Sequence, residues 1–290
     1  MKKVLITGAS GQLGLALNQL FKEKEDYIIY QTDRSEDSEH GIMALDISDE
    51  EAVNAMIDQI KPEIIINCAA LTAVDLCETE EQMAYRINAL GPKYLAVAAD
   101  KKDAKLIHIS TDYVYDGHAS KPYQEGDPTN PLSVYGRTKL AGDEFVISHC
   151  KKSFVLRTAW VYGEGKNFVK TMLRLADSGK SIRVVADQFG TPTSALELAR
   201  VILFLMETDS YGIYHATCEG STSWYEFALE IFRQAGKQVS VEPIASSEYP
   251  TPATRPKYSV LDNKALRERH GYTMKQWKEA FVEYCQHTFH

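Results

Sequence analysis

Val4-Leu5-Ile6-Thr7-Gly8-Ala9-Ser10-Gly11-Gln12-Leu13-Gly14 is a short apolar run, closed by glycine and followed at once by a helical pattern. Residues 4–7 read as a buried β-strand, and Leu13, Leu17, Leu20 and Phe21 fall on one face of the next helix. The glycines stand at 8, 11 and 14. A tight turn from strand to helix needs positive φ at its start. Close approach of a pyrophosphate needs a residue without Cβ, and so does close packing of helix on strand. The helix N-terminus then turns free N–H groups and a positive dipole end toward the phosphates. No Walker A lysine follows, so this is not an NTPase loop. The alternative is a purely structural turn. Asp33 argues against it: it stands about 20 residues on, at the end of the second strand, where a carboxylate accepts hydrogen bonds from an adenosine ribose. Arg34 beside it can pair with a 2′-phosphate. Together the two point to NADP(H), with NAD(H) also usable.

Outward from this turn, strands are expected at 27–31, 64–66, 106–109 and 154–156. Ser48 with Glu51 reads as a capping box for a helix that runs to Ile60 and stops before Pro62. Residues 80–100 are helical in character, and a loop with Pro122, Pro128 and Pro131 leads to a helix from about Ser133. Strands alternating with helices over about 157 residues predict an α/β fold, a doubly wound parallel sheet of Rossmann type. Past Tyr162 the pattern loosens. Helices are expected at 166–178, 194–207, 223–235 and 274–287, with strand-like pieces near 182–185, 212–216 and 239–243. Pro243, Pro250, Pro252 and Pro256 mark an irregular stretch. The expected organisation is an NAD(P)-binding domain over 1–163. A smaller α/β substrate domain would follow over 164–290, with some segments returning to the Rossmann sheet.

Composition narrows the function classes. The 290 residues are 44% hydrophobic and 25% charged, as in an ordinary globular protein. The net charge of −8, without a basic run, argues against a nucleic-acid partner. Cys68, Cys77, Cys150, Cys218 and Cys285 are odd in number and widely spaced, which suits reduced thiols in a cytoplasm. The histidines form no ligand pair, and no metal site is expected. No apolar run reaches the ~18 residues of a membrane span, and the apolar part of the N-terminus is too short for a signal peptide.

Tyr135 and Lys139 lie four residues apart in Ser133-Val134-Tyr135-Gly136-Arg137-Thr138-Lys139, on one face of a helix. An ammonium beside a phenol favours the phenolate and lowers the tyrosine pKa, which makes a usable proton donor and acceptor. The spacing also arises by chance, as a half-buried tyrosine beside a solvated lysine. The glycine turn supplies a context in which the pair has work to do.

Gly8/Gly11/Gly14, Asn67-Cys68-Ala69-Ala70, Ser110-Thr111-Asp112-Tyr113 and Tyr135/Lys139 occur in that order at the C-terminal ends of expected strands, where open α/β sheets bind ligands. In this the chain resembles the extended short-chain dehydrogenase/reductase family. It is most similar to the branch that reduces 4-keto sugar nucleotides. The carriers there are Leu71-Thr72-Ala73-Val74-Asp75, Arg157-Thr158-Ala159-Trp160-Val161-Tyr162, Asp187-Gln188-Phe189-Gly190-Thr191-Pro192-Thr193 and Tyr249-Pro250-Thr251-Pro252-Ala253-Thr254-Arg255-Pro256.

The resemblance implies reduction of dTDP-4-dehydro-L-rhamnose to dTDP-L-rhamnose for cell-surface polysaccharide, by a cytoplasmic monomer or homodimer. It implies Tyr135 as proton donor, Lys139 holding the phenolate, and Thr111 donating a second hydrogen bond to the reacting oxygen. Gly8, Gly11, Gln12, Leu13, Gly14, Asp33, Arg34, Asp46, Ile47, Ala69, Ala70, Leu71, Thr72 and Ile109 would line the cofactor, together with Tyr135 and Lys139. Asp112 would either bond sugar hydroxyls or cap a turn. Trp160 would offer a flat face to the substrate or pack in the core. Arg255 would hold a diphosphate or make a surface ion pair. Some relatives form metal-bridged dimers, but no ligand cluster is seen here. Relatives that dehydrate the hexose carry Thr-Asp-Glu after the fourth strand; here Tyr113 replaces the glutamate, which favours simple reduction. Epimerisation stays open, since it too needs only the tyrosine and a tightly held cofactor. The family also includes a non-catalytic regulatory subunit of a methionine adenosyltransferase, against which the joint presence of Thr111, Tyr135 and Lys139 argues.

Overall fold

The computed structural model describes residues 1–177 and 181–288. The first half runs β1 Lys2–Thr7, α1 Gln12–Phe21, β2 Tyr27–Asp33, β3 Ile42–Ala44, α2 Glu50–Ile60, β4 Ile64–Asn67, α3 Val74–Thr79, α4 Glu81–Tyr85, α5 Gly91–Lys101, β5 Lys105–Thr111, α6 Val134–His149 and β6 Ser153–Thr158. The second half adds β7 Val161–Tyr162, α7 Phe168–Ala176, β8 Ile182–Val185, β9 Phe189–Gly190, β10 Thr193–Ser194, α8 Ala195–Leu205, β11 Gly212–His215, β12 Thr222–Ser223, α9 Trp224–Gln234, β13 Val241–Ile244, α10 Lys264–His270 and α11 Trp277–Thr288.

Seven strands form one sheet in the order β11-β6-β5-β4-β1-β2-β3. Every pair in it is parallel. The strands are apolar runs because both faces are covered: Ile64, Ile65 and Ile66 alternate between two cores. One core lies under α1 and α8, with Leu13, Leu17, Leu198 and Ile202. The other lies under α2, α5 and α6, with Val53, Ile57, Leu95 and Val146. Burying each such side chain stabilises the fold by about 1.5–3 kcal/mol. The chain order reverses between β1 and β4, and the crevice at their carboxyl ends is the switch point where such sheets bind ligands. A third core, built from Tyr162, Val169, Phe227, Ile231, Trp277 and Phe281, holds α7, α9 and α11 together beside that crevice.

Several local expectations change. The helix after β3 is capped by Asp49, whose Oδ1 accepts from the Ala52 N–H at 3.0 Å. Ser48 instead donates to Asp46 Oδ1 at 2.8 Å, so the Ser48–Glu51 capping box does not form. The expected helix at 166–178 is Phe168–Ala176, and residue 178 lies outside the described residues. The strand piece near 212–216 joins the main sheet as its edge beside β6. β3 and α10 were not anticipated.

The helical stretch at 80–100 is broken by a π-helical turn, Arg86–Leu90. π-turns mark functional sites because one residue is pushed out of register. Asn88 lies within this turn. Fully buried, it accepts from the Leu71 N–H at 2.8 Å and donates to the Leu71 carbonyl at 3.1 Å and to Thr138 Oγ1 at 3.3 Å. It thus ties the loop after β4 to the helix bearing Tyr135 and Lys139. Asn88→Ala leaves buried groups unpaired at both ends. Chemical denaturation should show a loss of roughly 2–4 kcal/mol. A loss within 0.5 kcal/mol would mean that the clamp contributes nothing.

Candidate active site

The crevice is a cleft of about 760 Å³. All the residues expected to hold cofactor line it, from Gly8 through Lys139, as do Thr111, Asp112 and Trp160. Arg255 does not line it.

The cofactor end is built by the glycine turn. Gly8 has φ of 69°, and a Cβ on it would lie 2.7 Å from the Ala69 backbone nitrogen. Only glycine fits that left-handed position and that close approach. The helix cap, Gly11, places no side chain on the free N–H groups of α1, which leaves them open to a phosphate. Asp33 is held at the cleft wall, its oxygens accepting from the Ser10 N–H at 3.0 Å and the Arg34 N–H at 2.7 Å. Arg34 is exposed at the rim beside Ser35 and Ser10. These groups fit a dinucleotide: a pyrophosphate accepting from the N-terminus of α1, a ribose donating to Asp33 and a 2′-phosphate accepting from Arg34.

At the floor, Ser133 caps α6 by accepting from the Gly136 N–H at 3.1 Å. The helix enters with Tyr135 and Lys139 one turn apart and both buried, at 9% and 2% exposure. The expected electrostatics need correction. Lys139 Nζ donates to the Ile109 carbonyl at 2.6 Å and lies 3.4 Å from His108 Nε2, so its contacts are with β5. Burial draws its pKa down to about 8. Burial likewise pushes the Tyr135 phenol above its ordinary value, with a neighbouring Thr111 hydroxyl opposing part of the shift. The phenol is therefore a neutral donor at physiological pH, not a pre-formed phenolate.

Thr111 sits at the end of β5. Its oxygen accepts from the Tyr113 N–H at 3.2 Å and its proton goes to Asp112 Oδ1 at 3.0 Å. Thr111 thus caps the turn, the role that was one alternative for Asp112. Asp112 itself is 2% exposed, its Oδ2 makes no close hydrogen bond among the described residues, and burial raises its pKa to about 6 against the opposing pull of the nearby Ser259 and Thr111 hydroxyls. An unpartnered buried oxygen in a cleft wall is suited to accepting from a ligand hydroxyl.

At the far end Trp160 lies flat on Trp224, centroids 3.5 Å apart and planes 9° apart. Its φ of 49° is strained for a bulky residue. Packing holds it there: a Cβ on Gly190 would lie 2.5 Å from the indole Cε2. Both indoles line the cleft, so the core alternative for Trp160 does not hold. Arg255 forms a two-pronged ion pair with Asp75, at 2.9 and 3.1 Å, as the ion-pair alternative anticipated. Sequence reading missed Asn88, His108, Asp143 and Trp224. No short motif contains them; they meet the site only through the fold.

Phenol, hydroxyl and ammonium thus converge on the floor of a dinucleotide cleft, where a pyridine-nucleotide oxidoreductase of the doubly wound class keeps its proton-donating groups. A family model described as RmlD substrate binding domain matches residues 1–289, and the chain belongs to that family. It is 42% identical over 293 residues to a dTDP-4-dehydrorhamnose reductase of Aggregatibacter actinomycetemcomitans, covering 97% of each chain. A crystal structure of a dTDP-4-dehydrorhamnose reductase from Clostridium acetobutylicum superposes with a TM-score of 0.93 at 46% identity, over 99% of this chain and 100% of that one. One from Bacillus anthracis, in complex with NADP, gives 0.93 at 41% identity over the same shares.

Asp112 supplies a test of the electrostatics. Its folded pKa, about 6, lies above the free value of 3.8, so the folded state binds more protons than the unfolded one between those pH values. Stability from this group is therefore present at low pH and lost as pH rises through 6. Asp112→Asn should raise stability at pH 7.5 by up to about 3 kcal/mol and change it little at pH 4, read by urea denaturation at both values. Equal effects at the two pH values would show that the carboxyl is not perturbed.

Proposed function

We propose that the chain reduces the 4-keto group of dTDP-4-dehydro-L-rhamnose to give dTDP-L-rhamnose, in the supply of rhamnose for cell-surface polysaccharide. Bound NADPH supplies the hydride, and NADH can serve at the same turn. The ketone lies against Tyr135 and Thr111. As its carbon gains hydride, the electron pair of the C=O bond moves to oxygen, and Tyr135 gives its proton to that oxygen. Thr111 donates a hydrogen bond to it, which requires its hydroxyl to turn from Asp112. General acid catalysis of this kind contributes about 10²–10⁴-fold. Asp112 Oδ2 accepts from a sugar hydroxyl, Trp160 faces the sugar or base, and Arg255 is the diphosphate partner if it leaves Asp75. Residues 1–163 act as the nucleotide-binding part and 164–290 mainly as the substrate part, in a cytoplasmic monomer or homodimer.

The observation that carries this reading is the meeting of the Tyr135 phenol and Thr111 hydroxyl at the floor of a cleft whose one wall is the glycine turn and whose other is the Trp160–Trp224 pair. Reduction is favoured over dehydration because Tyr113, and no carboxylate, follows Asp112; its ring packs edge-on against Tyr135 at 5.5 Å.

Tyr135→Phe should lower turnover with dTDP-4-dehydro-L-rhamnose by about 10²–10⁴-fold while NADPH affinity is kept. Loss of NADPH absorbance measures the first and fluorescence titration the second. Full activity in this variant would remove Tyr135 from the proton-donor role.

A further inference from the structure

The two indoles at the far end of the cleft do not pair by their own preference. Face-to-face stacking with ring centres nearly superposed is a poorer electrostatic arrangement than an offset or edge-on one. Yet the Trp160 and Trp224 centroids lie 3.5 Å apart with planes 9° apart, which leaves almost no lateral offset. The fold imposes the pair. β9 and β12 run antiparallel, with Gly190 opposite Thr222 and Phe189 opposite Ser223. Gly190 is the residue wedged against the Trp160 indole, and Trp224 follows Ser223 as the first residue of α9. One short strand pair therefore sets both the wedge and the stacking ring.

Trp224 is itself held from behind. The Ser223 hydroxyl accepts from the Glu226 N–H at 3.1 Å, and Glu226 Oε2 accepts from the Ser223 N–H at 3.1 Å, so a capping box closes the start of α9. Phe168 of α7 meets the Trp224 ring at 4.6 Å, tilted by 52°, and stacks in turn on Phe227 at 5.7 Å. Phe227 is 1% exposed, inside the third core. A row of four rings thus runs from that core to the cleft and ends on Trp160. Trp160 keeps its place against its own backbone, whose φ of 49° is costly for a bulky residue. A core role alone does not account for Trp224, because it is only partly buried and lines the cleft.

We infer that Trp224 is a positioning residue of the substrate subsite: it braces the Trp160 indole at one angle, so that the sugar nucleotide meets a wall already in place. This rests on the reading of Trp160 as facing the sugar or base. Holding a contact ring in place before the ligand arrives removes the entropy cost of ordering it on binding. The dinucleotide is held by the turn after β1 and the end of β2, whereas Trp224 belongs to α9, so cofactor affinity serves as the control.

The first measurement needs no ligand. The chain holds three tryptophans, Trp160, Trp224 and Trp277, so their indole ¹H–¹⁵N signals can be assigned by single variants. Nuclear relaxation should show the Trp160 indole ordered in the natural chain, mobile in Trp224→Ala, and ordered again in Trp224→Phe, which restores a flat ring. An indole equally ordered in the alanine variant overturns the proposal. The second measurement is calorimetric titration with dTDP-L-rhamnose. Trp224→Ala should bind it about 5- to 10-fold more weakly and Trp224→Phe within about twofold of the natural chain, with NADPH affinity kept in both. In a Trp160→Ala background, removal of Trp224 should cost nothing further, because the brace has nothing to hold. An additive loss in the double variant, or NADPH affinity falling in step, overturns the proposal. Full affinity in Trp160→Ala overturns both the proposal and the role of Trp160. A natural chain that does not bind dTDP-L-rhamnose overturns the substrate reading alone, and the indole order then decides on the brace. If the alanine variant does not fold, Trp224→Leu keeps apolar bulk without the flat face and is read in the same way.

Discussion

The hydrogen bond from Lys139 to the Ile109 carbonyl, 2.6 Å long and made by a lysine only 2% exposed, is the constraint on which the site depends. It fixes α6 against the end of β5. It also places a cationic side chain in a largely buried position on the cleft floor, where an unpartnered charge is expensive. Asp143, held by Arg157, lies near enough to offset part of that cost. Burial works on Tyr135 and Lys139 in opposite directions, raising the phenol and lowering the ammonium, so their proton affinities, close in water, move apart and the phenol holds its proton the more tightly.

The rest of the cleft follows from the same packing. β5 ends at Thr111, so fixing α6 to β5 sets Tyr135 beside the Thr111 hydroxyl. Asn88 joins α6 to the loop after β4, and that loop passes Gly8 at van der Waals limits. The glycine turn and the helix bearing Tyr135 and Lys139 are therefore linked through one set of contacts. Trp160 stands apart: its backbone is strained, its carbonyl accepts from the Thr193 N–H at 3.2 Å, and its ring is held by stacking on Trp224 and by the absence of a side chain at Gly190. Strain of this kind is kept where a ring must stand in one place.

Much of this was legible in the chain. The glycine turn, Asp33, and the order of strands and helices are local patterns, and local patterns survive folding. So are Tyr135 and Lys139, because helical spacing alone puts them on one face. What spacing could not give was the partner of each group. Lys139 turned to β5 and not to the phenol, because a carbonyl at 2.6 Å satisfies an ammonium better than a protonated phenol would. Ser48 lost the helix cap to Asp49, one residue later, because Asp46 offered its hydroxyl another acceptor. β11 joined the main sheet from far along the chain, beyond anything periodicity records. His108 and Asp143 read as ordinary strand and helix residues until the sheet and α6 were brought together.

The central claim is that this cleft delivers hydride to one carbon and a proton to the oxygen on it. The direct measurement is an incubation of dTDP-4-dehydro-L-rhamnose with NADPH deuterated on the transferred face, with the product read by NMR. The account predicts dTDP-L-rhamnose carrying deuterium at C4 only, one per NADPH consumed. Deuterium absent from C4, or a sugar rearranged with no net use of NADPH, would contradict it.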